Sequence, residues 1–178
     1  MDNHHIPLLG IVAFSGTGKT SLLKALIPYL QTQGKRIGII KHTHHNVDFD
    51  TPGKDSYELR KAGATQTMIA SEKRWALMTE TPKNQKFDLR HLASNFDPQS
   101  LDLILVEGFK HENIDKIALF RDITGKALSD LLDPYVIALA SDTTHQVDLP
   151  QLDLNNVAEV GQFILTWLTH QTSQQQIS

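Results

Sequence analysis

The apolar positions of this chain fall into short unbroken runs, separated by stretches in which they recur at helical spacing. Residues 6–14 read Ile-Pro-Leu-Leu-Gly-Ile-Val-Ala-Phe, a continuous run closed by a glycine-rich turn. A run without alternation suits a strand buried on both faces, as in a parallel sheet. Residues 19–33 then place Leu22, Leu23, Leu26, Ile27 and Leu30 along one helical face, with Pro28 positioned to kink the helix and Gly34 to end it. Residues 35–41 give a second buried strand. Strand, helix and strand make a βαβ unit, whose crossover is expected to be right-handed.

Asp55 and Glu58 have the spacing of a capping box and open a short helix that Gly63 closes. Residues 65–70 and 75–79, joined by Ser71-Glu72-Lys73-Arg74, read as a β-hairpin. A helix is expected over 87–96, buried strands over 101–106, 116–120 and 135–140, and a closing amphipathic helix over 157–168. The Gln/Ser-rich end from Gln171 reads as a disordered tail. These elements predict an α/β protein: a single three-layer domain over residues 1–170, with a mostly parallel sheet and an embedded β-hairpin.

Composition removes several classes of function. With no cysteine in 178 residues, disulfides, zinc–thiolate sites and thiol catalysis are excluded. A formal charge of −3 argues against broad attraction to nucleic acid or acidic membranes. No apolar run reaches the roughly 20 residues a membrane-spanning helix needs. The start Met1-Asp2-Asn3-His4-His5 has neither the basic segment nor the apolar core of a signal peptide, so the expected location is the cytoplasm.

The strongest chemical pattern follows the first strand. Ala13-Phe14-Ser15-Gly16-Thr17-Gly18-Lys19-Thr20-Ser21 has the spacing of a phosphate-binding P-loop, with alanine in place of the first glycine. Gly16 and Gly18 let the backbone turn so that successive N–H groups converge on phosphate oxygens. The helix starting near Lys19 aims its positive end at the same anion. Lys19 is placed to reach β- and γ-phosphates, and the Thr20 hydroxyl to bind Mg²⁺. The motif lies between a buried strand and an amphipathic helix, the context its mechanism requires. The domain is therefore expected to be P-loop NTPase-like.

A triphosphate–magnesium site also calls for a carboxylate at the end of a neighbouring strand. In Leu101-Asp102-Leu103-Ile104-Leu105-Val106-Glu107-Gly108, Asp102 lies at the start of the strand and is expected to be solvated. Glu107 lies at its end, where open α/β sheets bind ligands, and is the metal candidate; the alternative is an exposed strand-end charge. Lys41-His42-Thr43-His44-His45 follows the second strand on the same edge, with Asp48 and Asp50 just beyond. Three readings stay open for this segment: a substrate or switch loop using Lys41, His42, His44 and Asp48, a solvated surface, or a metal site. Lys110 and His111 are weaker candidates for the same pocket. Asp142, beyond the strand over 135–140, is placed either to read a base or to serve in a turn.

Several of these segments together resemble the MobB family, the bacterial GTP-binding accessory proteins of molybdopterin-guanine dinucleotide biosynthesis. They are the loop from Phe14 to Thr20, Lys41-His42-Thr43-His44-His45, the run from Gly53 to Gly63, Arg74-Trp75-Ala76-Leu77, and Val106-Glu107-Gly108-Phe109-Lys110. The resemblance covers most of the chain and weakens after Arg121. It implies a homodimer that binds GTP with Mg²⁺ and hydrolyses it slowly at best. It also implies a role in assisting the guanylyltransferase that attaches GMP to molybdopterin, with molybdopterin itself a possible ligand. The common guanine-reading motif Asn-Lys-x-Asp is absent, so the choice of GTP over ATP comes from the resemblance.

Two rival functions fit the loop. An ATP-dependent small-molecule phosphotransferase would want an arginine-rich lid, whereas Arg60, Arg74, Arg90 and Arg121 are scattered. A nickel-insertion GTPase is invited by the histidines. A partition-type ATPase is disfavoured, because such loops usually carry an extra lysine where this chain has Phe14.

Overall fold

The computed structural model describes residues 5–43, 48–81 and 88–175. Its strands are β1 (Leu8–Ala13), β2 (Ile37–Lys41), β3 (Gln66–Ala70), β4 (Trp75–Thr79), β5 (Leu103–Glu107), β6 (Lys116–Phe120), β7 (Val136–Ser141) and β8 (Gln151–Asp153). Its α-helices are α1 (Lys19–Thr32), α2 (Asp55–Lys61), α3 (Leu89–Ala93) and α4 (Val157–Gln175). The chain divides into two compact units, Met1–His42 with Asp88–Ser178, and Thr43–Phe87.

In the first unit a six-stranded sheet runs in the order β2-β5-β1-β6-β7-β8, with every pairing parallel. Both faces are covered, which is why β1, β5 and β6 are apolar without alternation. Leu9, Ile11, Leu103, Leu105, Ile117 and Leu119 face α1 and α4, meeting Leu22, Leu26, Leu30, Val160 and Ile164. On the other face Ile40, Ile104 and Val106 pack with Leu89 of α3, and Val12, Ala118 and Phe120 pack with Leu131.

The alternation on the α1 side has a consequence at the sheet's carboxyl edge. Side chains two apart share a face. Three rows therefore run out of the core onto a charge: Leu103, Leu105, Glu107 on β5; Ile117, Leu119, Arg121 on β6; Ala138, Ala140, Asp142 on β7; on the edge strand β2 the half-buried Ile37 and exposed Ile39 lead to Lys41. Register sets these charges in two staggered pairs: Lys41 stands opposite Glu107, level with Ile11, while Arg121 and Asp142 follow the paired Phe120 and Ser141 and lie four residues further along the strands.

The hairpin is present where it is expected, and β3 and β4 form a two-stranded antiparallel sheet of their own. Several elements differ from the sequence expectation. Helix α4 continues to Gln175, past the point where a disordered tail was expected. Lys54, not Asp55, is the N-cap of α2; Asp55 and Glu58 sit inside its first turn, where their charge suits the helix dipole. Strand β8 was missed because its three residues carry a single apolar side chain, Leu152. Helix α1 runs through Pro28 without a break. Asp102 is not simply solvated: its carboxylate accepts from the Arg36 side chain at 3.1 Å and from the Arg36 backbone N–H at 2.7 Å.

In the second unit Arg60 is the hub. Its guanidinium bonds Asp48 at 2.8 Å, Asp50 at 2.7 Å and Glu80 at 3.0 Å, tying α2 to the segment before it and to the end of β4. Those hydrogen bonds, that of Asp50 foremost, raise the Arg60 pKa still further, and in return hold the Asp50 carboxyl below its usual range. On the hairpin, the pairs Met68–Leu77 and Ala70–Trp75 share one face. Met68, Trp75 and Leu77 there are 60%, 66% and 43% exposed, an unusual concentration of uncovered apolar surface.

One buried charge stands out in the first unit. Lys116, 1% exposed, pairs with Asp133 and donates to the Lys110 carbonyl at 2.7 Å, pinning the helix-free crossover over 108–115 that joins β5 to β6. Burial pushes the Asp133 carboxyl up, but hydrogen bonds from Lys116 and the Tyr135 N–H, with the Lys116 charge, leave it below the ordinary 3.8. A carboxyl lowered in the folded state adds stability above the unfolded value, and that stability is lost as pH falls through the folded one. Asp133→Asn should therefore cost about 1–3 kcal/mol at neutral pH and flatten the acid limb of stability. Urea unfolding at pH 7 and pH 3 checks this: the gap between wild type and variant should narrow at the lower pH.

Candidate functional site

The loop from Ala13 to Ser21 leaves β1 at the carboxyl edge and enters α1. Gly16 and Gly18 adopt φ of 85° and 95°, in the left-handed region that side chains disfavour. Gly18 is the N-cap of α1 and offers no side chain to cap its first amides, which have no intrahelical partners. A Cβ built on either glycine would meet nothing within 4 Å, so the space over the loop is open. Ser15, Thr20 and Ser21 are exposed there, while Thr17 is buried and its hydroxyl has no hydrogen-bond partner among the described residues. Unpaired amides, a positive helix end and Lys19 form a cradle for an anion of phosphate's size and charge.

Phe14 fixes the loop's other flank. Its ring meets Phe120 edge-on at 6.4 Å, and the Lys110 ammonium lies 5.8 Å from its centroid. The predicted candidate Lys110 is therefore near the loop, whereas its neighbour His111 is exposed.

Glu107 is the junction of the site. Its carboxylate lies 3.3 Å from Lys19 Nζ and 3.5 Å from Lys41 Nζ, with only 14% of its side chain exposed. It is thus not a free strand-end charge. The His42 N–H donates to the Glu107 carbonyl at 2.8 Å, continuing the pairing of β2 with β5. Gly108 follows with φ of 93°, and a Cβ on it would come 2.9 Å from the His42 carbonyl, so only glycine allows this approach. The His42 ring packs on Phe109 at 5.1 Å.

Asp48 and Asp50 belong to the second unit, where Arg60 engages both. His44 and His45 lie outside the described residues. Among the described residues no group of three or more His, Asp or Glu is placed to hold a metal by itself. Thr20 and Glu107 remain as oxygen donors beside the phosphate cradle.

Asp142 stands on the far side of the loop, but as the partner of a residue that motif reading passed over. Arg121 donates to Asp142 at 2.9 Å, to the Thr17 carbonyl at 3.0 Å and to Asn155 at 2.6 Å. No sequence motif marks this arginine. Its position at the end of the row Ile117, Leu119, Arg121 was the available clue.

Residues 8–142 match the family MobB, described as molybdopterin guanine dinucleotide synthesis protein B. The molybdopterin-guanine dinucleotide biosynthesis adapter protein of Escherichia coli strain K12 is 58% identical over 93% of this chain and 95% of its own length. The protein of the same description from Haemophilus influenzae is 46% identical over 94% of this chain and 93% of its own. In fold, the chain is similar to a crystal structure of molybdopterin-guanine biosynthesis protein B, with a TM-score of 0.75 and 23% identity over 91% of this chain and 99% of that one.

The cradle makes a direct demand on Lys19. Its pair with Glu107 is partly exposed and worth little to folding, whereas a charged hydrogen bond to phosphate is worth about 1.5–3 kcal/mol. Lys19→Ala should leave thermal unfolding almost unchanged and weaken triphosphate binding by about tenfold or more. Calorimetric titration with a nucleoside triphosphate decides it; unaltered affinity would remove the cradle from the function.

Proposed function

Since the chain belongs to the MobB family, we propose that it is a GTP-binding adapter of molybdopterin-guanine dinucleotide biosynthesis, with weak or no GTPase activity of its own. The observation that carries the nucleotide reading is the open phosphate cradle with Lys19 and Glu107 at its mouth. The amides of the loop from Ala13 to Ser21 hold the phosphates, and Lys19 turns from Glu107 to the β- and γ-oxygens. Mg²⁺ fits here because it needs only one or two protein ligands when phosphates and water supply the rest. Thr20 and Glu107 are those ligands, and the ion would neutralise charge on the phosphates. Asp142 stands on the side of the loop where a base would lie.

The adapter role supposes partners. The guanylyltransferase that joins GMP to molybdopterin is the proposed one, with molybdopterin a possible ligand. Lys41 and His42, next to Glu107, are placed where a partner would sense the γ-phosphate. The uncovered face of the hairpin is assigned to a two-fold dimer, because a lone two-stranded sheet with three exposed large apolar side chains on one face, Met68, Trp75 and Leu77, is marginal in water. A cytoplasmic location follows from the same reading.

Titration of GTP and ATP side by side, each with and without Mg²⁺, tests the nucleotide assignment. At a hundred times its dissociation constant GTP should stabilise the fold by about 2.7 kcal/mol, which is about 5–10 °C in melting temperature for a chain of this size. ATP should give less. Glu107→Gln should still bind nucleotide but lose most of the gain from Mg²⁺. Equal response to both nucleotides would favour the phosphotransferase reading, and undiminished magnesium dependence would clear Glu107 of the metal role.

Sedimentation equilibrium tests the dimer separately. The expected species has twice the 20.0 kDa chain mass at micromolar concentration, and Trp75→Lys with Leu77→Lys should shift it to monomer. A wild-type monomer under those conditions would end the assignment.

A further inference from the structure

We propose that Arg121 is a positioning residue for base selection: it holds the Asp142 carboxylate toward the N1–H and N2–H edge of guanine and locks it to the phosphate loop. This rests on the reading of the site as one for GTP, and adds to it the device by which the two ends of the nucleotide are read together.

Three donors of one guanidinium reach three separate loops. Nε bonds the Thr17 carbonyl inside the phosphate loop at 3.0 Å, Nη1 bonds Asp142 Oδ2 after β7 at 2.9 Å, and Nη2 bonds Asn155 Oδ1 between β8 and α4 at 2.6 Å. The Arg121 backbone is extended, with φ of −139° and ψ of 132°, so it continues the β6 row that ends in the core at Leu119. Its side chain is 26% exposed. Asn155 is fixed in turn, its N–H donating to Asp153 Oδ1 at 2.8 Å. A guanidinium is a rigid planar fork. One planar group thus fixes the Thr17 carbonyl and the Asp142 carboxylate relative to each other.

Asp142 has capacity left for a ligand. Arg121 occupies Oδ2, while Oδ1 takes no hydrogen bond from the described residues, and each carboxylate oxygen has two lone pairs. Guanine presents two donors, N1–H and an exocyclic N–H, to such a carboxylate. Adenine presents the acceptor N1 and a C–H at the same edge, which leaves the carboxylate unanswered. Asn-Lys-x-Asp is not needed if the aspartate is held by an arginine from the neighbouring strand.

A plain surface staple would join the same loops, and base preference separates the two roles. The full-length chain is titrated with GTP, ATP and xanthosine triphosphate in the presence of Mg²⁺, as wild type, Arg121→Gln, Arg121→Ala and Asp142→Asn. The wild type should prefer GTP. Both arginine variants should lose about tenfold or more in GTP affinity while ATP affinity moves by less than about threefold, so the ratio collapses. Asp142→Asn should turn the preference toward xanthosine triphosphate, whose C2 carbonyl accepts from the new amide. If Arg121→Ala does not fold, Arg121→Gln, which keeps the stem and an amide donor, decides. A GTP-to-ATP ratio that survives in the arginine variants, whatever happens to absolute affinity, overturns the role of Arg121 alone. A wild type without base preference overturns the guanine reading, and the inference with it.

Discussion

Everything at the carboxyl edge of this protein depends on the parallel pairing of β1 with β5 on one side and β6 on the other. Parallel strands bring all their carboxyl ends to one edge, and the register fixes how far each one reaches. Glu107 stands abreast of Ile11, so its side chain meets the first residue of α1 and not the body of the helix. Leu119 stands abreast of Ala13, so Arg121, two residues on, arrives level with the phosphate loop and meets Thr17. A one-residue slip of either strand would turn its row over and bury the charge in the opposite layer. The apolar rows that make up the core are thus also the ruler that spaces the polar groups.

That double use explains what the sequence reveals and what it hides. The strands over β1, β5 and β6 are legible because a fully buried parallel strand leaves an unbroken apolar run. The phosphate loop is legible because glycine, lysine and threonine each answer a separate chemical need at fixed spacing. Strand β8 is not legible, since three edge residues with only Leu152 packed against the core give no period to read. The hairpin is legible because local alternation and a polar four-residue turn say that two strands pair, although they say nothing of whether a third will join them.

The site divides in the same way. Glu107 was found through its position at the end of an apolar strand, and Asp142 by the same logic. The lysine pairs of Glu107 and the Arg121 fork were hidden, because they join residues on separate strands and loops whose proximity only the register supplies. For the acidic residues Asp48 and Asp50 the sequence shows closeness to the histidines, while their common partner Arg60, ten and more residues on, becomes visible only in the folded second unit.

The arrangement around Glu107 also says why one carboxylate is served by two lysines. In the proposed reading Lys19 turns from Glu107 toward the triphosphate. A carboxylate with 14% of its side chain exposed, left beside several phosphate charges, would be repelled from the place where a magnesium ligand must stand. Lys41, paired from the adjacent strand at 3.5 Å and 58% exposed, stays behind when Lys19 turns away. In the proposed reading it keeps Glu107 compensated until the cation enters, and its exposure lets it withdraw to solvent once two positive charges would compete for one carboxylate. In that reading the exchange of Lys19 toward phosphate and Lys41 toward water would couple nucleotide loading to the end of β2. The next residue on that strand's path, His42, is packed on Phe109 and bonded through its N–H to Glu107. On the proposed reading a change at the phosphates would thereby reach the edge of the first unit through one carboxylate and the strand that pairs with it.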